Sequence, residues 1–143
     1  MTYAGFSAAA WDAQLAALEA AAAQGDAKAQ TELAVKYEHA EGVAKDFQIA
    51  NALYCKAAKL GYAEAQFKLG WVYANGRGVP RDDAVAAALF KMAAGQGHEY
   101  AIKLLSYVRD KPDTQLPPCL LPDPPVSFPA GDHGEIEQLV REL

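Results

Sequence analysis

Residues 61–97, GYAEAQFKLGWVYANGRGVPRDDAVAAALFKMAAGQG, decide the fold because their pattern recurs along the chain. Gly25, Gly61 and Gly97 are spaced 36 residues apart, and a related run follows each of them. At that shift many other positions coincide: Ala29 with Ala65 and Ala101, Leu33 with Leu69 and Leu105, Tyr37 with Tyr73, Asp46 with Asp82, and Tyr54 with Phe90. A fixed period of this length is typical of stacked helical repeats.

The spacing within one unit predicts two helices joined by a turn. Ala29, Leu33 and Tyr37 recur every four residues, so they form an apolar stripe on one helix face. Gly42 and Gly78 are predicted to end this first helix in the left-handed conformation, and Gly61 and Gly97 to end the second. Asp46 and Asp82 suit the start of the second helix, because a carboxylate accepts from its free N–H groups. We therefore predict a helix over 8–24, hairpins over 27–60 and 63–96, and a final helix over 98–109.

The segment YANGRGVPRDD, residues 73–83, invites a second interpretation as a phosphate-binding loop. It places two glycines and two arginines ahead of a predicted helix. The corresponding HAEGVAKD of the preceding unit has neither arginine, and the pattern G-x-x-x-x-G-K-[ST] is missing. We therefore interpret the loop as a turn between helices.

These residues resemble the Sel-one-like repeat family, a relative of the tetratricopeptide repeat. The family pattern, close to A-x-x-x-L-G-x-x-Y-x-x-G-x-G-V-x-x-D followed by A, an aromatic and A-A-x-x-G, is nearly complete in residues 61–97. Residues 25–61 match with losses, since Ala34 and Ala40 replace glycines, and the third copy breaks off after Arg109. The resemblance implies an all-α fold, a right-handed α/α superhelical solenoid over 1–110. It also implies a concave surface that holds a protein or a peptide.

The composition changes after Arg109. Residues 111–134 are proline-rich but also contain Leu116, Leu120 and Phe128, so we expect an ordered strap along the last repeat rather than a loose spacer. Residues 135–143, EIEQLVREL, predict a short amphipathic helix. That helix either packs on the repeats or begins a further domain.

A proline-rich linker followed by I-x-x-L-V-R-E-L also looks like the start of the catalytic domain of bacterial soluble lytic transglycosylases. This second resemblance implies that the chain is the non-catalytic N-terminal part of a peptidoglycan-cleaving enzyme in the bacterial periplasm or envelope. The catalytic E-S-x-F/Y pattern would then lie beyond Leu143. Otherwise we expect a cytoplasmic adaptor.

The bulk properties exclude several classes of function. A net charge of −5 gives no basic surface for nucleic acid, and no apolar run is long enough to span a membrane. The first residues lack the order of a secretory signal peptide. We interpret Cys55 and Cys119 as unrelated thiols, and His39, His98 and His133 as lying in separate elements without metal-ligand spacing. We expect no catalytic residue, no metal and no cofactor in this chain.

Positions at which the units differ are the candidates for binding a partner. They place Phe67, Trp71, Asn75, Lys103 and Tyr107 on a stripe rotated away from the apolar core stripe. Aromatic side chains beside polar groups are good contact anchors, so we predict a partner-binding groove formed by these residues. Its occupant is a protein, a peptide or the chain's own proline-rich tail. The alternative is that the aromatic side chains are covered by the strap or by neighbouring helices.

Overall fold

The structure is a computed structural model that describes residues 8–107 and 115–123. Within these ranges every regular element is helical. The elements are α1 (Ala8–Ala23), α2 (Ala27–His39), α3 (Phe47–Lys59), α4 (Ala63–Asn75), α5 (Asp83–Gly95), α6 (Glu99–Leu105) and a 3₁₀ turn (Pro118–Leu120). The predicted helix and hairpins are confirmed. The final helix, predicted over 98–109, ends earlier, at Leu105, because Ser106 and Tyr107 form a turn. Residues 108–109 and the whole of the predicted helix over 135–143 lie outside the described residues.

Local capping explains where the second helices, α3 and α5, begin. Oδ1 of Asp46 accepts from the N–H groups of Gln48 and Ile49 at 2.9 and 3.1 Å. Asp82 repeats this geometry at α5, accepting from Ala84 and Val85. These four bonds satisfy donors that a helix start leaves without an intrahelical partner. The predicted capping role of the two aspartates is therefore confirmed.

The predicted ends of the first helices are wrong by two residues. The left-handed residues that cap α2 and α4 are Ala40 (φ 57°) and Gly76 (φ 63°). Gly42 and Gly78 also have positive φ, but they lie further along the turn. Gly78 additionally faces a close approach, since a Cβ there would lie 2.6 Å from Cβ of Phe47 at the start of α3. The turn therefore packs directly on the preceding hairpin.

The glycine-rich segment is a turn between helices, as interpreted from the sequence, and it also forms a contact between repeats that was not predicted. Nδ2 of Asn51 in α3 donates to the carbonyl of Arg77 at 2.9 Å. The two arginine side chains are paired with carboxylates of the chain itself, Arg77 with Glu38 and Arg81 with Asp83. The carbonyl of Arg77 and the side chains of both arginines are thus engaged in contacts within the chain.

The helices stack in chain order, each packing on the next, and α2 also contacts α4. Small side chains dominate the buried contacts. A repeated polar bond joins successive units: Nε2 of Gln30 donates to the carbonyl of Ala22 at 3.1 Å, and Gln66 donates to Ala58 at 3.3 Å. These bonds hold the starts of α2 and α4 against the end of the helix before each of them.

Helix α1 covers one end of the stack, as predicted. Its Ala22 packs against Ala29 and Leu33 of α2 in one buried cluster. Trp11 contributes less than expected, because 51% of its surface stays exposed and the Lys36 ammonium lies 5.7 Å from its ring centre. The cap therefore works through the middle and the C-terminal part of α1, where Leu15, Leu18 and Ala21 pack against this cluster.

The described part of the proline-rich tail, residues 115–123, packs on α3 and not along the last repeat, which corrects the prediction. Pro117 is fully buried and Leu120 packs against the core cluster that contains Tyr54. Cys119 forms a disulfide with Cys55 of α3, with the two Cα atoms 6.3 Å apart. The interpretation of two unrelated thiols is therefore wrong. The described part of the tail thus lies on one of the second helices, α3, and no local sequence pattern reports such a contact.

A glycine substitution pair tests how closely the helices must approach. A Cβ at Gly70 in α4 would lie 2.7 Å from the fully buried ring of Phe90, whereas one at Gly95 would meet nothing within 4 Å. We expect Gly70→Ala to lower the free energy of unfolding by about 1–2 kcal/mol, because the steric cost exceeds the gain in helix propensity. Gly95→Ala, the control, is expected to leave it unchanged or raise it by up to about 1 kcal/mol. Urea unfolding of both variants measures the difference, and equal stabilities would contradict the packing described.

Candidate functional site

An open groove of about 450 Å³ lies between α4 and α6, the first helices of the second and third repeats. Its lining consists of Phe67, Lys68 and Trp71 from α4 and Tyr100, Lys103 and Leu104 from α6. Residues four apart point the same way on a helix, so each helix presents a pair of large apolar side chains to the groove. Trp71 keeps 40% of its surface exposed and Tyr100 keeps 64%. Large exposed aromatic side chains beside each other mark candidate contact surfaces.

Three of the five predicted groove residues, Phe67, Trp71 and Lys103, line this groove together. Asn75 does not, because its side-chain amide donates to the backbone carbonyl of Trp71 at 2.8 Å and stays on its own helix. Tyr107 lies past the end of α6 with 82% of its surface exposed, outside the lining. Their role in binding remains a prediction.

Lys68, Tyr100 and Leu104 were not predicted from the sequence. A signal was present, since the aligned positions 32, 68 and 104 read Glu, Lys and Leu, and positions 28, 64 and 100 read Lys, Glu and Tyr. Both sets of aligned positions vary between repeats as strongly as the positions from which the groove was predicted. The omission came from following one stripe of the helix, whereas a groove between two helices uses two adjacent stripes of each.

A histidine fixes one wall of the groove. The Phe67 ring stacks on the His98 ring, with centroids 4.5 Å apart and planes tilted by 22°. Nδ1 of His98 accepts from the N–H of Ala101, so Nε2 carries the proton and donates to Oε2 of Glu64 at 2.6 Å. His98 thereby caps α6 and ties α4 to it. Phe67 is held in place before any partner arrives.

The charged groups at the groove are cationic. The Lys103 ammonium lies 5.7 Å from the centre of the Tyr100 ring, which leaves it at the groove edge. Lys68 lies 4.0 Å from Glu64, a carboxylate that already accepts from His98. An aromatic floor with two lysines at its border suits a ligand that offers an apolar side chain and a carboxylate.

A second polar cluster joins the first two repeats and was missed in the sequence. Glu38 of α2 is buried; its two carboxylate oxygens accept from the Tyr54 hydroxyl at 2.6 Å and from the Arg77 guanidinium at 2.7 Å. The corresponding residues one unit later, Ala74 and Phe90, cannot form it. Burial, together with the hydrogen bond to the Glu38 carboxylate, raises the pKa of Tyr54 well above its usual value. Each member satisfies the others, so the cluster is a clamp between repeats and leaves no group free for chemistry.

The described residues contain no group of three or more His, Cys, Asp or Glu side chains that could hold a metal ion. Over the same ranges, none of the helices has the length and apolar character needed to cross a membrane.

Comparisons with known proteins agree with the repeat. The family described as Sel1 repeat matches residues 27–62 and 63–98. A solved Sel1 repeat protein from Oxalobacter formigenes is 34% identical, with a TM-score of 0.62, covering 66% of this chain and 71% of that one. The protective antigen c5321 of uropathogenic Escherichia coli, which displays an SLR fold, is 33% identical, with a TM-score of 0.64. That alignment covers 66% of this chain but only 20% of the antigen. A search of curated proteins gives no significant match.

The clamp generates a prediction about alkaline pH. In an unfolded chain tyrosine ionises near pH 10, whereas folded Tyr54 keeps its proton to higher pH. Above about pH 10 the unfolded state therefore binds fewer protons, and the free energy of unfolding falls as the pH rises. Tyr54→Phe lacks this contribution, so we expect a shallower decline between about pH 10 and 11. At neutral pH the variant should be less stable by about 1–3 kcal/mol, because a buried carboxylate loses a donor.

Tyr107→Phe is the matched control, because it removes a hydroxyl from an exposed side chain. It should reproduce both the neutral-pH stability and the alkaline slope of the parent chain. Denaturant unfolding at a series of pH values measures all three proteins. The same alkaline slope in Tyr54→Phe and in the parent would contradict the assignment.

Proposed function

Because this chain belongs to the Sel1 repeat family, we propose that it is a non-catalytic protein-interaction scaffold whose groove between α4 and α6 holds a peptide segment of a partner protein. The family supports a scaffold for protein partners. The groove is the finer part of the proposal, and the observation that carries it is that Trp71 of α4 and Tyr100 of α6, both exposed, line the same groove.

The chemistry of the lining restricts the partner. Aromatic and leucine side chains provide most of the surface, so the bound segment must supply an apolar side chain to gain affinity. The border lysines Lys68 and Lys103 favour a neighbouring Asp or Glu in the ligand and disfavour Lys or Arg there. We therefore propose a short segment in which a leucine or aromatic residue lies beside acidic residues.

The prestacked wall supports binding without a large loss of conformational freedom. Phe67 is already held by His98, and His98 by Glu64, so these side chains need no ordering when a ligand enters. Preorganisation of this kind improves affinity by lowering the entropic cost of association. Residues 115–123 do not line the groove, which leaves it open in the described part of the chain.

A displayed random-peptide library, selected on the purified chain, tests the groove. We expect enriched peptides that share an apolar residue beside Asp or Glu. For a synthetic peptide of that sequence, Trp71→Ala should raise the Kd by at least about 10-fold, as expected for loss of an aromatic anchor. Helical content and melting temperature should stay nearly unchanged, because Trp71 is substantially exposed.

Trp11→Ala is the matched control, since it removes the same side chain from α1 at the other end of the stack. It should bind the peptide like the parent chain. Two outcomes would contradict the proposal: equal peptide affinity in the two tryptophan variants, or a melting temperature many degrees lower in Trp71→Ala. The second outcome would make Trp71 a packing residue.

A second candidate function is favoured by the Cys55–Cys119 disulfide. Disulfides persist mainly in oxidising compartments, which include the bacterial periplasm. We propose that location, and with it the alternative that these repeats are the non-catalytic N-terminal region of a peptidoglycan lytic transglycosylase. The encoding gene tests this alternative. An E-S-x-F/Y stretch downstream of Leu143 would support it, and a stop codon directly after Leu143 would contradict it.

A further inference from the structure

We propose that the Cys55–Cys119 disulfide is a thiol–disulfide exchange site, at which reduction by a dithiol releases residues 115–123 from α3. We call these nine residues the strap. The inference goes beyond the scaffold function and does not depend on peptide binding in the groove.

The two halves of the disulfide differ in accessibility. Cys55 lies within α3 with 8% of its surface exposed, whereas Cys119 lies on the exposed 3₁₀ turn of the strap. Exchange requires an incoming thiolate to reach one of the two sulfur atoms. Cys119 is the half that offers access, and Cys55 becomes the leaving group. Exposed disulfides are more often labile or regulatory than structural ones.

Few other interactions hold the strap. Its two hydrogen bonds are internal, from the N–H of Leu120 to the carbonyl of Pro117 at 2.9 Å and from the N–H of Leu121 to that of Pro118 at 3.3 Å. Across residues 8–107 and 115–123, no hydrogen bond or ion pair joins the strap to a helix. Apart from the disulfide, its attachment consists of the buried Pro117 and the half-buried Leu120. The free energy gained by burying so small an apolar contact is low compared with the conformational-entropy cost of ordering nine residues.

The exchange step balances with a dithiol as the reductant. One thiolate of the dithiol attacks Sγ of Cys119, the Cys55–Cys119 bond breaks, and the electron pair leaves on Sγ of Cys55, which takes up a proton. The second thiol of the reagent then attacks the reagent sulfur that is bonded to Cys119. This closes the disulfide of the reagent and frees Cys119 as a thiol. The two electrons come from the dithiol, which ends as a disulfide. Both cysteines of the chain end reduced.

Release would uncover an apolar surface on the layer of second helices. The strap covers Cys55 and packs Leu120 onto the cluster that includes Tyr54 and Leu89. Once the bond is broken, this patch faces solvent and the chain beyond Asp123 is no longer tied to α3. The redox state of Cys55 and Cys119 therefore controls whether the apolar patch is exposed and whether the chain after Asp123 starts from a fixed point on α3.

The purified full chain, oxidised in air and then treated with dithiothreitol, tests the proposal. Alkylation and intact mass should find no free thiol before treatment and two after it. Amide hydrogen exchange in the strap, measured at labelling times of seconds, should then accelerate at least about 10-fold, while α4 and α5 stay protected because their buried amides exchange only through slower global unfolding. The melting temperature should fall by about 10 °C, since the bond closes a loop with a sequence separation of 64 residues.

Three variants serve as controls. Cys55→Ser with Cys119→Ser should show the fast strap exchange without reductant and no response to dithiothreitol. Leu120→Ala should speed the reduction, because it removes the apolar contact of the strap, whereas Leu121→Ala, at an exposed neighbour, should not. The proposal is overturned if the untreated chain carries two free thiols. It is equally overturned if, at those short labelling times, reduction leaves strap exchange unchanged or raises exchange throughout the helices.

Discussion

Close helix packing through small side chains is the constraint on which the rest of the structure depends. A hairpin of two 13-residue helices covers its apolar face only with its neighbours, so the distance between helices decides how much of each face is buried. Gly70 sets that distance where α4 meets Phe90. Alanine does the same at many other contacts, and the fully buried examples include Ala50, Ala57, Ala65, Ala86, Ala93 and Ala101. Each alanine buries little area, so stability comes from close contact along the whole stack and from the polar bonds between units.

The stack could be predicted because its causes are local and repeated. The 36-residue period, the four-residue apolar spacing and the capping aspartates each act within one unit, and together they placed every described α-helix to within a few residues. The predictions were wrong where the structure depends on something other than these local patterns. Ala40 ends α2 in a conformation usually left to glycine, so composition gave no sign of it. The disulfide joins residues two repeats apart in sequence, and only the path of the tail brings them together.

The groove was predictable in part for a related reason. Comparing aligned positions identified Phe67, Trp71 and Lys103, because a surface that binds a partner need not repeat. Asn75 lies outside the lining because its side-chain amide bonds to its own helix, a choice between conformers that residue spacing does not decide. Comparing aligned positions could not identify the cluster of Glu38, Tyr54 and Arg77. It requires an acid, a phenol and a guanidinium from three elements, and each is unremarkable in its own column.

The disulfide on α3 also determines how the molecule would transmit mechanical force. A pull between the two ends of the chain would run through α1, α2 and the first part of α3, and then pass through the covalent bond at Cys55 directly into the tail. Helices α4 and α6, which form the groove, and α5 between them in sequence lie outside this load path. Tension that would otherwise peel the last helix from the stack would instead leave the aromatic surface intact. With the two sulfur atoms reduced, the same tension would reach α6 first.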